Sequence, residues 1–305
     1  MRLWFMGSGE FASSCLERMS GQLQFERVIT GHPTRAGRGL QEHASAVERA
    51  ALGLPLERTG PLSQNEKLLK TLTSDPPDLI FVVDFGQLIR EPFLSTPIHG
   101  CLNIHPSLLP RWRGAAPVQR ALLNGDLTTG VTVFRLTEEL DAGPILIQSQ
   151  VSIPPLVDST ELLEILALEG SQIAVRGVKS IIEGSCQFLA QNSELSTYAA
   201  KLDKAEAEVS WGQDPIHIHN RVRAFASSTG AFVAARGKRL KLWRTAPVDA
   251  QGKPGQILSL AGGGLVVACA GGAVQLVEVQ GEGKRRMSGA DWARGDRLKA
   301  GEGLI

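Results

Sequence analysis

Asp78-Leu79-Ile80-Phe81-Val82-Val83 places five consecutive apolar residues behind a single acid. A strand with one wet face alternates apolar and polar side chains. A run without alternation fits a strand covered on both faces, as in a parallel sheet flanked by helices. The flanking sequence agrees. Toward the N-terminus, apolar runs at Leu3–Met6 and Phe25–Thr30 read as strands, and Glu10–Met19, His43–Leu52 and Glu66–Leu72 as amphipathic helices. Toward the C-terminus, Cys101–Ile104 reads as a strand and Ala115–Leu123 as a helix. Gly130–Leu136 and Pro144–Ile153 read as a late strand pair, and Ser159–Ile182 as a long helix. This alternation predicts a doubly wound, Rossmann-like α/β domain with a parallel-rich sheet.

The texture changes after Trp211. Short strands at Ala231–Ala235, Arg239–Trp243, Gly255–Leu260, Gly264–Cys269 and Ala273–Val279 are separated by Gly, Pro and Asp turns. That spacing predicts a small all-β, barrel-like domain of OB type. At 305 residues, two domains are expected. Their limits read as 1–190 and 207–305, with 191–206 as a linker.

A net charge of +1 conceals an asymmetry, because residues 207–305 carry fourteen Lys/Arg against eight Asp/Glu. Arg221, Arg223, Lys238, Arg239, Lys241, Lys284, Arg285 and Arg286 contribute to the surplus. Such a surplus fits a surface for a polyanion or a merely solvated basic domain. The four cysteines stand far apart, and the six histidines form no zinc spacing with them, so no metal site is expected. Reduced thiols, an N-terminal apolar stretch too short for a signal peptide and the lack of a membrane-length run point to a cytoplasmic chain with no membrane contact.

Two motifs carry chemistry. Gly7-Ser-Gly-Glu-Phe-Ala12 has dinucleotide-fingerprint spacing, but a tight strand–helix turn needs the same glycines, and Glu26 is not at the end of the next strand. Asn103 and His105 alternate at a strand end, where open α/β sheets bind ligands. An amide N–H there can stabilise an oxyanion and an imidazole can move a proton. Asp141, in a turn between two strands, can orient the imidazole and stabilise its charged form. Spacing alone favours the plainer reading, in which the three are a turn former, a satisfied polar residue and a turn residue.

Beyond spacing, the run Asn103-Ile-His-Pro-Ser-Leu-Leu-Pro-Arg-Trp-Arg-Gly-Ala-Ala-Pro117, with Gly130-Val-Thr132 and Leu140-Asp-Ala-Gly143, resembles the 10-formyltetrahydrofolate-dependent formyltransferases. The extension Arg111–Pro117 resembles in particular the members whose acceptor is methionyl-tRNA. The likeness spans nearly the whole chain, including Gly7–Ala12, Ala36-Gly-Arg-Gly39, Tyr198–Leu202, Trp211 and Lys284–Ser288. It implies formyl transfer from 10-formyltetrahydrofolate to initiator methionyl-tRNA for translation initiation, without a metal or an obligate protein partner. It implies Asn103, His105 and Asp141 as the catalytic trio. It implies Phe85, Gly86, Gln87, Leu88 and Ile89, with Ser107, Leu108, Leu109 and Pro110, as the folate pocket, read largely through backbone groups. Arg35 and Arg38 fall in the loop that the family places near its tRNA. Residues 1–190 then form the catalytic domain and 207–305 the tRNA-binding one.

Three departures concern the acceptor and the pocket. Leu40 and Gln41 stand where the family commonly has a lysine pair, in a shortened loop. Arg223–Ala231 lacks the usual Asn-Pro-x-Pro-Gly turn, and Asp84 precedes Phe85-Gly86 in place of an Ala-Tyr pair. Fewer cations weaken phosphate binding. The same chemistry on an amino sugar, a hydroxyornithine or another small amine is therefore the alternative acceptor reading. Formyl-folate hydrolysis is a further alternative, while an inert binding module fits poorly with an intact Asn–His–Asp set.

Overall fold

A computed structural model describes residues 1–36, 41–260 and 264–304, which form two compact units. The first comprises Met1–Gly114, Thr128–Ser152 and Leu163–Ala199, and the second Ala115–Leu127, Ile153–Leu162 and Ala200–Ile305. Residues 191–199 of the expected linker thus group with the first unit, and two earlier segments with the second.

In chain order, the first half runs β1 (Leu3–Gly7), α1 (Glu10–Ser20), β2 (Phe25–Gly31), the hairpin β3 (Thr34–Ala36) and β4 (Gln41–His43), α2 (Ala46–Ala50), β5 (Leu56–Thr59), α3 (Glu66–Ser74), β6 (Leu79–Val83), β7 (Cys101–His105) and β8 (Arg113–Gly114). There follow α4 (Pro117–Asn124), β9 (Thr128–Arg135), β10 (Ile145–Ser152), α5 (Ser159–Ile182) and β11 (Tyr198–Ala199). The main sheet has the order β10-β9-β7-β6-β1-β2-β5. β7, β6, β1, β2 and β5 are parallel, and β9 and β10 close one side antiparallel. The chain moves from β1 outward to β5, then crosses to β6 on the other side of β1. The β1/β6 junction is therefore the switch point at which such sheets bind ligands.

The apolar runs explain the centre. Every residue of β1 and β6 is buried. Trp4, Met6, Ile80 and Val82 share one cluster with Ile29, Leu68, Leu72, Phe93 and Cys101. Phe5, Phe25 and Phe81 pack edge to face elsewhere in the sheet. The helix expected over 43–52 is shorter, because the Ser45 hydroxyl caps α2 by accepting from the Glu48 N–H and residues 41–43 pair in the hairpin. β5, with the sequence Leu-Glu-Arg-Thr, has no apolar run to mark it as a strand; it lies at the edge of the sheet.

The second unit contains α4, α6 (Pro215–Phe225), β12 (Ala231–Ala235), β13 (Lys238–Val248), β14 (Ile257–Ser259), β15 (Leu265–Cys269), β16 (Gly272–Gly281), β17 (Met287–Ser288) and α7 (Gly289–Gly295). The strands form an antiparallel sheet in the order β12-β13-β16-β15-β14, with β17 on β16. The small β domain carries two helices that the strand pattern did not announce. α6 begins where Asp214 caps the Ile216 and His217 N–H groups with Pro215 in the first turn, and it buries Ile218, Val222 and Phe225.

On α6, His219 is buried. Its Nδ1 lies 3.1 Å from Thr245 Oγ1 and its Nε2 3.0 Å from the Pro155 carbonyl. Burial pushes its pKa below the ordinary 6.5. The unfolded chain therefore binds the proton more readily, so stability is lost as pH falls from about 6.5 toward the folded-state value. Denaturant unfolding at pH 7.5 and 5.5 should show wild type losing more stability on acidification than His219→Gln; equal losses would refute this assignment.

Candidate active site

β7 ends beside β6 on one side, with Val82 opposite Asn103, and beside β9 on the other, with Thr132 opposite His105. Alternation puts Asn103 and His105 on one side of the strand, while Leu102 and Ile104 are buried in the core. His105 is 5% exposed, and its ring packs edge to face on Phe134 at 6.4 Å. Its Nε2 lies 2.9 Å from the Trp112 carbonyl oxygen. A carbonyl can only accept, so Nε2 carries the hydrogen in the neutral ring and Nδ1 presents a lone pair. That Nδ1 lies 3.8 Å from Asp141 Oδ2, which itself accepts from the Gly114 N–H at 2.8 Å. Asp141 is 9% exposed and adopts φ +50°, a left-handed conformation that Asp tolerates better than most residues. The expected Asp–His pair is thus a close approach rather than a direct hydrogen bond. Asn103 Oδ1 is buried and has no hydrogen-bond partner among the described residues.

The surrounding loops are tied down by Thr132 and Ser107 and by two residues that sequence reasoning did not single out, Gln148 and Gln191. The Thr132 hydroxyl donates to the Ser107 carbonyl at 2.7 Å and accepts from the Leu109 N–H at 3.1 Å. Gln148 Nε2 donates to Thr132 Oγ1 and to the Leu109 carbonyl, each at 2.8 Å. Ser107 Oγ donates to the Arg111 carbonyl at 2.7 Å. Gln191 Nε2 donates to the carbonyls of Asp141 and Gly143 at 2.9 and 2.7 Å, and its Oε1 accepts from Arg113. The only advance signal for this scaffold was Gly130-Val-Thr132 itself. Gly143 is required by space, since a Cβ there would lie 1.7 Å from the Arg135 carbonyl oxygen.

Among the expected pocket residues, Phe85 and Ile89 turn into the core, and Ser107 and Leu109 are also buried. Leu108 and Pro110 are half-buried, and Gly86 has φ +74°. Gln87 accepts from the Leu62 N–H and donates to the Gly60 carbonyl, both at 3.0 Å. With Leu88, which is 53% exposed, it lines a cavity of about 630 Å³ that also borders Gly31, His32, Gly60 and Leu62. Arg35 lies on β3, and Arg38 lies outside the described residues.

The glycine turn after β1 is built for packing. A Cβ on Gly7 would come within 2.8 Å of Ala12, Phe5 and the Val83 carbonyl. A Cβ on Gly9 would lie 1.7 Å from Asp84 Oδ2. The Asp84 carbonyl accepts from the N–H groups of Ser8 and Gly9, at 3.1 and 3.2 Å. Desolvation, with the Glu10 charge nearby, pushes the Asp84 carboxyl up from its ordinary value. Asp84 thus occupies the place where a fingerprint glycine loop would receive phosphate. Gly9→Ala must displace the Asp84 carboxyl group and should lower stability, and Asp84→Ala in the same chain should restore most of the loss. Denaturant unfolding of the two single variants and the double variant measures this coupling, and strict additivity would refute the contact.

In the second unit the expected basic set divides. Arg223 is buried, and its guanidinium donates to Asn220 Oδ1 and to the carbonyls of Pro154 and Val157, so it is internal rather than part of a polyanion surface. Arg221 donates to the Glu208 carbonyl. Arg239 stacks on Phe232, while Lys241 and Arg286 approach Trp243, forming an aromatic–cationic face. Among the described residues no group of three or more His, Cys, Asp or Glu is placed to hold a metal, and no helix is long and apolar enough to cross a membrane.

Comparison with known proteins bears on both units. The family model "Formyl transferase" matches residues 1–178, and "Formyl transferase, C-terminal domain" matches residues 201–297. The chain is 37% identical over 305 residues to the methionyl-tRNA formyltransferase of Aromatoleum aromaticum, covering 99% of this chain and 96% of that one. It is 36% identical over 308 residues to that of Neisseria meningitidis serogroup A, covering 100% of each. Among solved structures, an N-formyltransferase from Helicobacter canadensis, in complex with folinic acid and dTDP-3-aminofucose, superposes with a TM-score of 0.67 at 16% identity, over 90% of this chain and 98% of that one. HypX from Aquifex aeolicus, in complex with tetrahydrofolic acid, superposes with a TM-score of 0.65 at 18% identity, over 96% of this chain, which spans 47% of HypX. At these identities the structures show a shared fold.

Proposed function

This chain belongs to the formyl transferase family, and on that premise we propose that it transfers the formyl group of 10-formyltetrahydrofolate to the amino group of initiator methionyl-tRNA, in the cytoplasm, for translation initiation. Full-length relatives of that name support the acceptor. The observation that carries the chemistry is the arrangement around His105: a lone pair on Nδ1, a carboxylate 3.8 Å beyond it, and an amide nearby whose oxygen has no partner.

The attacking amine must be neutral. As its nitrogen bonds to the formyl carbon, the carbonyl oxygen gains negative charge, and Asn103 Nδ2 donates to it. Asn103 Oδ1 accepts from the amine N–H, which ends its isolation. The proton released by the amine passes to His105 Nδ1. The imidazolium then faces Asp141, whose charge stabilises it across the short gap. When the bond from the formyl carbon to the folate nitrogen breaks, His105 returns the proton to that nitrogen. The folate is held by Ser107–Pro110 and Phe85–Ile89. With Phe85, Ile89, Ser107 and Leu109 buried, backbone groups supply much of the recognition. Residues 1–190 carry the chemistry and 207–305 hold the tRNA, with no obligate protein partner.

A formyl-transfer assay with 10-formyltetrahydrofolate, offering charged initiator tRNA against amino sugars and hydroxyornithine, tests the reading. Transfer to methionyl-tRNA should weaken steeply with added salt, as phosphate-dominated binding requires. Robust transfer to a free amine with none to tRNA would overturn it.

A further inference from the structure

Tyr198 is the single tyrosine in the chain, and it is 64% exposed. It is held in place by a short parallel pairing in which Tyr198 lies opposite Arg113 and Ala199 opposite Gly114. Thr197 fixes the same junction. Its hydroxyl accepts from the Trp112 N–H at 2.8 Å, its carbonyl accepts from the Arg113 N–H at 2.9 Å, and its N–H donates to the Pro110 carbonyl at 3.3 Å. A Cβ on Gly114 would lie 2.8 Å from Tyr198 Cε2, so the ring packs on the Gly114 backbone. The Gly114 N–H is the donor that holds Asp141. The exposed ring is thus one residue removed from the reacting cluster. On the same loop, the exposed Arg111 carries its guanidinium 4.7 Å from the Trp112 ring.

We propose that Tyr198 is the stacking platform for the unpaired terminal base of the acceptor RNA. This rests on the methionyl-tRNA reading above. The reacting amine is joined to the last nucleotide through its aminoacyl ester, so that nucleotide's base must lie beside the cluster when the amine reaches His105. A base is the flat π surface that an exposed, backbone-anchored aromatic receives. Stacking tolerates any base, and a neighbouring arginine supplies the positive charge that single-stranded ends require. Tyr198 therefore acts by positioning the acceptor and does not touch the reacting atoms.

Alanine substitution of a stacking aromatic costs about 1–3 kcal/mol per base. Tyr198→Ala should accordingly lower kcat/KM for methionyl-tRNA by about 5- to 150-fold, expressed mainly as a rise in KM. Tyr198→Leu keeps apolar bulk over Gly114 without a π face and should behave like alanine. Tyr198→Phe and Tyr198→Trp should stay near wild type. A methionyl-tRNA carrying 2-aminopurine as its terminal base should be quenched on binding to wild type and Tyr198→Phe, but not to Tyr198→Ala. Tm values guard against unfolding. The proposal is overturned if Tyr198→Ala keeps its KM and its quenching, or if Tyr198→Leu restores both. A wild type that does not formylate methionyl-tRNA refutes the functional reading together with this one. A wild type that does, with Tyr198 variants unaffected, refutes this one alone.

Discussion

Asn103→Ala should lower kcat by about a hundred- to a thousand-fold, the usual loss when one oxyanion donor is removed. The folate KM should change little, because the interaction grows as charge develops on the formyl oxygen. The variant should also be at least as stable as wild type. It removes an amide whose Oδ1 is buried without a partner, a deficit that commonly costs about 1–3 kcal/mol. Asn103→Asp fills the same volume but has no N–H to donate, so it should be as slow as alanine. Single-turnover rates with calorimetric Tm values decide the matter. Near-wild-type turnover in Asn103→Ala would remove this residue from the mechanism.

His105→Ala should cost about 10²- to 10⁴-fold in turnover, the range for a positioned acid–base group, and imidazole in the buffer should restore part of the rate. Asp141→Asn separates the two tasks of this carboxylate. The amide oxygen can still accept from the Gly114 N–H, but no charge faces His105 Nδ1, now 3.8 Å from a carboxylate oxygen. Its rate loss measures the electrostatic contribution alone. Full activity in His105→Ala would mean that the proton takes another route, and full activity in Asp141→Asn that the charge facing His105 contributes nothing.

The centre of the first sheet was legible because burial on both faces leaves an unmistakable sequence trace: Leu79–Val83 and Leu3–Gly7 are apolar throughout. α5 was read to its limits, Ser159–Ile182. Elements that rest on few apolar residues escaped notice. β5 owes its existence to its pairing with β2, β3 and β4 pair with each other as a short hairpin, and α6 hides its buried stripe among His217, His219, Arg221 and Arg223. At the candidate site, alternation brought Asn103 and His105 to one strand end, but no spacing rule announces Gln148 or Gln191. Each acts through carbonyl groups of distant loops, and carbonyls are invisible in a side-chain pattern. The basic surplus of the second unit misled in one instance, because counting charges cannot tell a surface arginine from Arg223, which is buried and bonded internally.

The hydrogen bond from His105 to the Trp112 carbonyl has an evolutionary consequence. A side-chain acceptor at that spot could be lost by a single codon change, and the ring would then be free to exchange its tautomers. A main-chain oxygen is present whatever residue occupies position 112. The base is therefore set by the path of the loop, so a change at position 112 unsets it only by redirecting the backbone, as a β-branched residue at its φ of +63° would.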